Sequence, residues 1–340
     1  MNGKQRIDAA LNGEWPDKRP VLLHNFLMAA KEYGVSMKTY REDPEVIAKA
    51  HIYAIEKYDL DGALIDVDTA TLAGAVGVPV DFPEDDAARV HEPAISSLEM
   101  VRDLEPADIS KDNRIQIWLE SCRIIKEHYG EEKFIRGNCD QAPFSLASMM
   151  RTPTEWMMDL MTGNDLVFNL LDFCTNATCQ FIHLMIQTGV DMVSNGDSPA
   201  GPEMISPDMY EMFALPYEQK VVEQAHKSGI PYMLHICGET DIILDKMVKT
   251  GADALELDYK TNIQLVYDVC NKENVTFSGN IDPAGVIAFG KPALVEEKTK
   301  EILALFKDNP RLIMNAGCAI PAETPSENIM KLVETTRNYR

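Results

Sequence analysis

The stretch SPDMYEMFALPYEQKVVEQAHKSGIPYMLHICG (206–238) decides the fold. It opens on Ser206-Pro207, residue types suited to the cap and first turn of a helix. A helical pattern follows and closes at Gly229, a residue that tolerates the left-handed conformation common after a helix. Next comes PYMLHICG (231–238), a short apolar run of strand length. The same unit recurs, because Gly130, Gly189 and Gly251 each close a helical pattern a few residues before the next apolar run. Working outward, strands are expected at 19–28, 61–70, 134–143, 191–200, 231–238, 254–260, 275–283 and 311–321, with helices such as 44–58, 113–130, 165–189 and 206–229 between them. Parallel strands need long crossovers, so eight strand-helix repeats predict an α/β chain forming a single (β/α)8 TIM-type barrel. One domain over 1–340 is expected, with an N-terminal helical extension (1–18) as a cap and an insertion after the second strand (71–112) as a hairpin or lid.

Polar residues collect where these strands end. They are His24 and Asn25, Asp66 and Asp68, Asn138 and Asp140, Asn195 and Asp197, His235 and Cys237, Glu256 and Asp258, Asn280 and Asp282, and Asn315 and Cys318. A barrel core favours branched apolar side chains, so polar strand ends mark the rim where barrel enzymes keep their active sites. Some are expected to cap the following helix instead, Asp282 before Pro283 above all. His235-x-Cys237 on a strand places both side chains on one face, because strand side chains alternate. Cys318 completes the set if its strand end lies nearby. One imidazole and two thiolates suit zinc, and three protein ligands leave a fourth position open, as in catalytic sites. Two buried cysteines beside a hydrogen-bonded strand histidine would look the same by spacing alone. Glu239, Asp258 and Glu256 are candidates for a fourth ligand or a partner of His235. His24, Asn25, Asn195, Asp197 and Asn280 are candidates for meeting substrate.

Charge narrows the partners. Lys+Arg number 32 against Asp+Glu 54, a net charge of −22, which disfavours nucleic acid and anionic membranes. The seven cysteines are irregularly spaced behind an opening, MNGKQRIDAALNG, with no apolar leader. Free or metal-bound thiols in a reducing, cytoplasmic compartment are therefore expected. No run of apolar residues is long enough to span a membrane. A homodimer is compatible with this sequence. Gly285 to Lys291 has phosphate-loop spacing, but Pro292 stands where Ser or Thr is required.

The chain resembles the uroporphyrinogen decarboxylase superfamily, and within it the zinc-dependent methyltransferases that work with corrinoid proteins. The matching pieces are KQRIDAALNGEWPDKRPV, the 195–240 block ending LHICGET, GADALELDYK, FSGNIDP and NAGCAIPAETPSENIMKLVE, in order along nearly the whole chain. The resemblance implies a barrel that binds Zn2+ through His235, Cys237 and Cys318. It also implies a corrinoid (cobalamin) supplied by a partner protein. Gln224 stands where the similar Asp-x-His-x-x-Gly of corrinoid-binding modules has Asp, so this chain is not expected to carry the corrinoid itself. Decarboxylases of the superfamily place an arginine-rich loop after the first strand to meet the substrate's carboxylates. Here that strand ends LLHNFLMAAKEYG, without arginine. The expected function is methyl transfer between a small molecule and corrinoid cobalt. A methyl ether such as a methoxylated aromatic is favoured, from the apolar Phe26 and Met28 beside His24 and Asn25 and the lack of a basic clamp. The alternatives are methylcobamide:thiol transfer in the opposite direction, or a uroporphyrinogen-decarboxylase-type decarboxylation.

Overall fold

The computed structural model describes residues 1–339. In chain order come α1 (Gly3–Asn12), α2 (Phe26–Tyr33), α3 (Met37–Glu42), α4 (Pro44–Tyr58), β1 (Gly62–Ile65) and α5 (Thr71–Ala75). The short pair β2 (Val80–Asp81) and β3 (Arg89–Val90) follows, then α6 (Asn113–Tyr129) and β4 (Phe134–Gln141). Next are α7 (Pro143–Arg151), α8 (Pro153–Met161), α9 (Leu166–Ile186), β5 (Met192–Gly196), α10 (Pro207–Phe213), α11 (Leu215–His226) and β6 (Tyr232–Ile236). The chain continues through α12 (Leu244–Met247), β7 (Ala254–Leu257), α13 (Ile263–Glu273), β8 (Thr276–Asn280), α14 (Pro292–Leu305), β9 (Leu312–Asn315) and α15 (Ser326–Asn338). Seven strands pair side by side in the order β1-β4-β5-β6-β7-β8-β9, every pairing parallel. This is the α/β, TIM-barrel-like fold that the strand-helix alternation predicts.

The expected first strand, 19–28, is the main correction. What remains of it is one parallel bridge, Val21 to Met314. Met314 N–H donates to the Pro20 carbonyl, Leu22 N–H to the Met314 carbonyl, and Asp61 N–H to the Val21 carbonyl. Pro20 to Leu22 therefore fill the gap between β9 and β1 as a stub in place of an eighth strand. The reason is chemical. Pro20 offers no N–H to a ladder, and from Phe26 the residues LMAAKEY are strong helix formers that start α2. The expected helix at 206–229 breaks in two at Ala214, where Pro216 takes a first-turn position in α11. The insertion holds the antiparallel pair β2–β3.

Strand alternation sets up two cores. Leu22, Leu64, Phe134, Met192, Met233, Ala254 and Ile313 turn inward and meet Ile7 and Ala10 of α1, which plugs the amino end of the barrel. The alternate residues pack outward under the helices in a larger cluster. Two residues further along most of these strands the inward face turns polar, and on β8 it is polar already at Thr276. Arg136, Ser194, His235, Glu256, Ser278 and Asn315, all buried, share the face of the apolar plug below them. This polar layer carries the site.

Candidate metal centre

His235 is the inward residue after Met233 on β6, and Cys237 follows on the same face just past the strand end. Cys318 arrives from the loop after β9. Gly317 makes that approach workable, because its φ is +78° and an added Cβ would lie 1.9 Å from the Leu257 carbonyl oxygen. Gly317→Ala should therefore displace Cys318 and cost roughly 1–3 kcal/mol in backbone strain. Zinc content and urea unfolding measure both; an alanine variant with unchanged metal and midpoint would contradict this role.

The three donor atoms lie within 4.8 Å of one another. His235 Nε2 is 2.9 Å from Cys237 Sγ, and the two sulfurs are 3.4 Å apart. That spacing is too long for a disulfide, whose S–S bond is about 2.05 Å. Zinc bonds of about 2.3 Å to sulfur and 2.0–2.1 Å to nitrogen imply tetrahedral edges of about 3.6–3.8 Å, so an ion needs the donors to part by about half an ångström. His235 Nδ1 lies 3.0 Å from the Glu256 main-chain carbonyl. Donation there fixes the tautomer that leaves Nε2 free for a metal. The donor set fits one zinc ion with a position to spare.

The three side chains already favour negative charge on sulfur. Cys237 is lowered to about 3, first by the hydrogen bond from Cys318 and then by His235, against the cost of burial. Cys318 is raised, by that same hydrogen bond and by burial, so it keeps the shared proton. Burial would lower His235, but the adjacent Cys237 thiolate and Glu256 outweigh it and raise it to about 9.

Beneath the triad, Glu256 is fully buried and Arg136 nearly so. Arg136 Nη2 donates to Glu256 Oε2 at 2.6 Å, and Asn315 Nδ2 donates to Oε1. Sequence reasoning left Arg136 out. Its signal was an arginine inside the apolar run FIRGN, which requires a buried partner.

The triad opens into a cavity of about 240 Å3 whose walls include His24, Phe26, Leu27, Asp66, Asp68 and Asp140. Larger hollows of about 550 and 610 Å3 lie elsewhere and hold none of the three donors. Of the substrate candidates, His24 lines the cavity, with Nε2 2.8 Å from Asp66 Oδ2. Asn195 also reaches the wall, although its amide is engaged by the Cys139 carbonyl and Tyr232 hydroxyl. Others stand elsewhere. Asp197 is wholly buried and accepts from Ser145 N–H and Oγ, outside the cavity wall. Asn280 is spent on the Asp258 and Thr261 carbonyls beside the neighbouring hollow. Asn25 is buried at the start of α2, and Met28 is core. Glu239 is exposed and outside the cavity. Asp258 accepts from Gly238 and Lys260 N–H, bracing the loop after Cys237.

Comparison with known proteins places this architecture. The uroporphyrinogen decarboxylase (URO-D) family profile matches residues 2–339. The chain belongs to the uroporphyrinogen decarboxylase family. Within the family it is 35% identical over 229 residues to the methylcobamide:CoM methyltransferase MtbA of Methanosarcina acetivorans, a match covering 67% of this chain and 65% of that protein. It is 26% identical over 343 residues to the methylcobamide:CoM methyltransferase MtaA of Methanosarcina barkeri, covering 99% of this chain and 98% of the other. Among solved structures, a methyltransferase from Methanosarcina mazei superposes with a TM-score of 0.90 at 25% identity, covering 99% of this chain and 98% of that one.

Proposed function

We propose that this family member is a zinc-dependent methyltransferase that moves a methyl group between a small molecule and the cobalt of a separate corrinoid protein. The observation that carries it is the donor set of His235, Cys237 and Cys318 facing one rim cavity, in a chain that has relatives named as methylcobamide:CoM methyltransferases beside others named as uroporphyrinogen decarboxylases. Zinc held there supplies a Lewis-acid position for an oxygen or sulfur of the substrate. Glu256 and its main chain orient His235, Ser198 Oγ accepts the Cys237 N–H at 3.2 Å, and Phe26 and Leu27 shield one side of the cavity from water.

For the substrate we favour a methyl ether, with the methyl group passing to reduced corrinoid. Among the cavity-lining residues the only guanidinium, Arg136, is bound to Glu256, while three aspartates line the wall. An anionic thiol would find no free guanidinium or ammonium on that wall to pair with. The second reading is transfer from methylated corrinoid to a thiol, favoured by the relatives' names. Mixing the protein with reduced cobalamin and a panel of methoxyarenes, methylamines and thioethers separates the two, with methylcobalamin and thiols as the reverse arm. Spectral conversion to methylcobalamin with an ether alone supports the first reading, and demethylation with a thiol alone supports the second. Porphyrinogen decarboxylation without methyl transfer would overturn both.

A further inference from the structure

Asp66, Asp68 and Asp140 face the cavity together, yet they are not equivalent. Asp66 Oδ2 is held by His24, and its Oδ1 accepts the Val67 N–H. Asp68 accepts from the Ala70 and Thr71 backbones and from the Thr71 hydroxyl, with Arg41 Nε 3.8 Å away. Asp140 accepts one hydrogen bond, from Leu72 N–H to Oδ2 at 2.7 Å. Its Oδ1 has no partner, although the residue is only 1% exposed and lines the cavity.

The backbone delivers this side chain by an unusual route. Asp140 has a φ of +57°, and the β4–β5 register shifts between Asn138 and Gln141. Such an irregularity bends a strand end and re-aims a side chain, and aspartate is among the few types that tolerate positive φ. Backbone strain of this kind persists where the surroundings enforce it, and it concentrates at functional sites. A buried carboxyl with one oxygen unpartnered, on a re-aimed backbone and open to the reaction cavity, calls for a ligand atom.

We propose that Asp140 is the general acid that protonates the leaving oxygen of a methyl ether bound in this cavity. The proposal rests on the ether-to-corrinoid reading above. In the step, the C–O bond breaks with its electron pair going to oxygen, and the Asp140 proton goes to that oxygen, giving an alcohol or phenol. The methyl group departs on an electron pair supplied by the reduced corrinoid, and Asp140 recovers its proton from water. Burial raises the Asp140 carboxyl well above the usual carboxylate range, and the charges of Asp68 and Asp66 raise it further. The groups facing it are those two aspartates, His24 beside Asp66 and Arg41 beside Asp68.

The test compares wild type with Asp140→Asn, which keeps shape and tolerance of positive φ, and Asp140→Gly, which also removes the strain. Both should retain full zinc. With free reduced cobalamin as acceptor, both should demethylate an electron-rich methoxyarene about 10²-fold or more slowly, as for loss of a general acid. The deficit should shrink steadily across methoxyarenes whose phenols are more acidic, since a better leaving group needs less help. Infrared spectra at neutral pH should show a protonated carboxyl band in wild type that Asp140→Asn lacks. An equal deficit across all leaving groups, no deficit, or an ionised Asp140 would overturn the acid role while leaving methyl transfer standing. A wild type that demethylates no ether, yet methylates thiols from methylcobalamin, would overturn the ether reading and the acid role with it.

Discussion

At the proposed zinc site, replacing Cys237 or Cys318 by Ser should prevent most zinc binding and slow methyl transfer by orders of magnitude while the barrel stays folded. A serine hydroxyl stays protonated at neutral pH and is a poor zinc ligand, whereas these two sulfurs already hold a thiolate by their own hydrogen bond and the neighbouring imidazole. A Lewis-acid metal contributes several kcal/mol to a transition state. At about 1.4 kcal/mol per tenfold, its loss lowers the rate by about 10²–10³ or more. The fold should not follow, because the triad sits at strand ends above an apolar plug of Leu64, Phe134, Met192, Met233 and Ile313 that owes nothing to the metal. Thermal midpoints of the variants should match those of chelated wild type. Elemental analysis and cobalamin spectroscopy decide the matter, and variants with wild-type zinc and activity would remove the metal assignment altogether.

The barrel was legible because its cues are local. The helix Pro44–Tyr58 coincides with the expected span, set by Asp43 as cap, Pro44 behind it and Asp59 in the left-handed region at its end. Strand cores were also legible, but their ends were drawn too long. DGALIDVDTA reads as one run, yet pairing stops at Ile65, because Asp66 and Asp68 turn their carboxylates to local backbone N–H groups. The meeting of His235, Cys237 and Cys318 was legible in outline, since period-2 alternation and strand order bring them to one rim. What each rim residue faces was not. Asn195, Asp197 and Asn280 look alike in sequence, and only the packing of neighbouring loops decides that two of them are spent outside the cavity. Asp140 was noted only as a strand-end residue, because the register shift that aims it is a property of the β4–β5 pair.

Arg136→Leu should cost about 3–5 kcal/mol in stability, because it leaves the Glu256 carboxylate buried without its cation. Burial alone would raise Glu256, but Arg136, His24 and His235 outweigh it and hold it at about 2, below its ordinary value of 4.5. In wild type this group therefore stabilises the fold above pH 4.5, and that contribution is lost only as pH falls toward 2. Without Arg136 the balance shifts toward the protonated form. Burial is then opposed by His24 and His235 alone, Glu256 moves up, and its protonation as pH falls from 8 toward 5 relieves part of the damage. Urea unfolding at the two pH values should show a deficit that is largest at pH 8, and Arg136→Leu with Glu256→Gln should recover much of it by removing the stranded charge. The single variant should also bind zinc less tightly, because Glu256 lies 3.9 Å from His235 Nδ1 and its main chain sets that ring. A deficit independent of pH, and unrelieved in the double variant, would mean that Arg136 matters for its packing volume and not for the charge it balances beneath the metal centre.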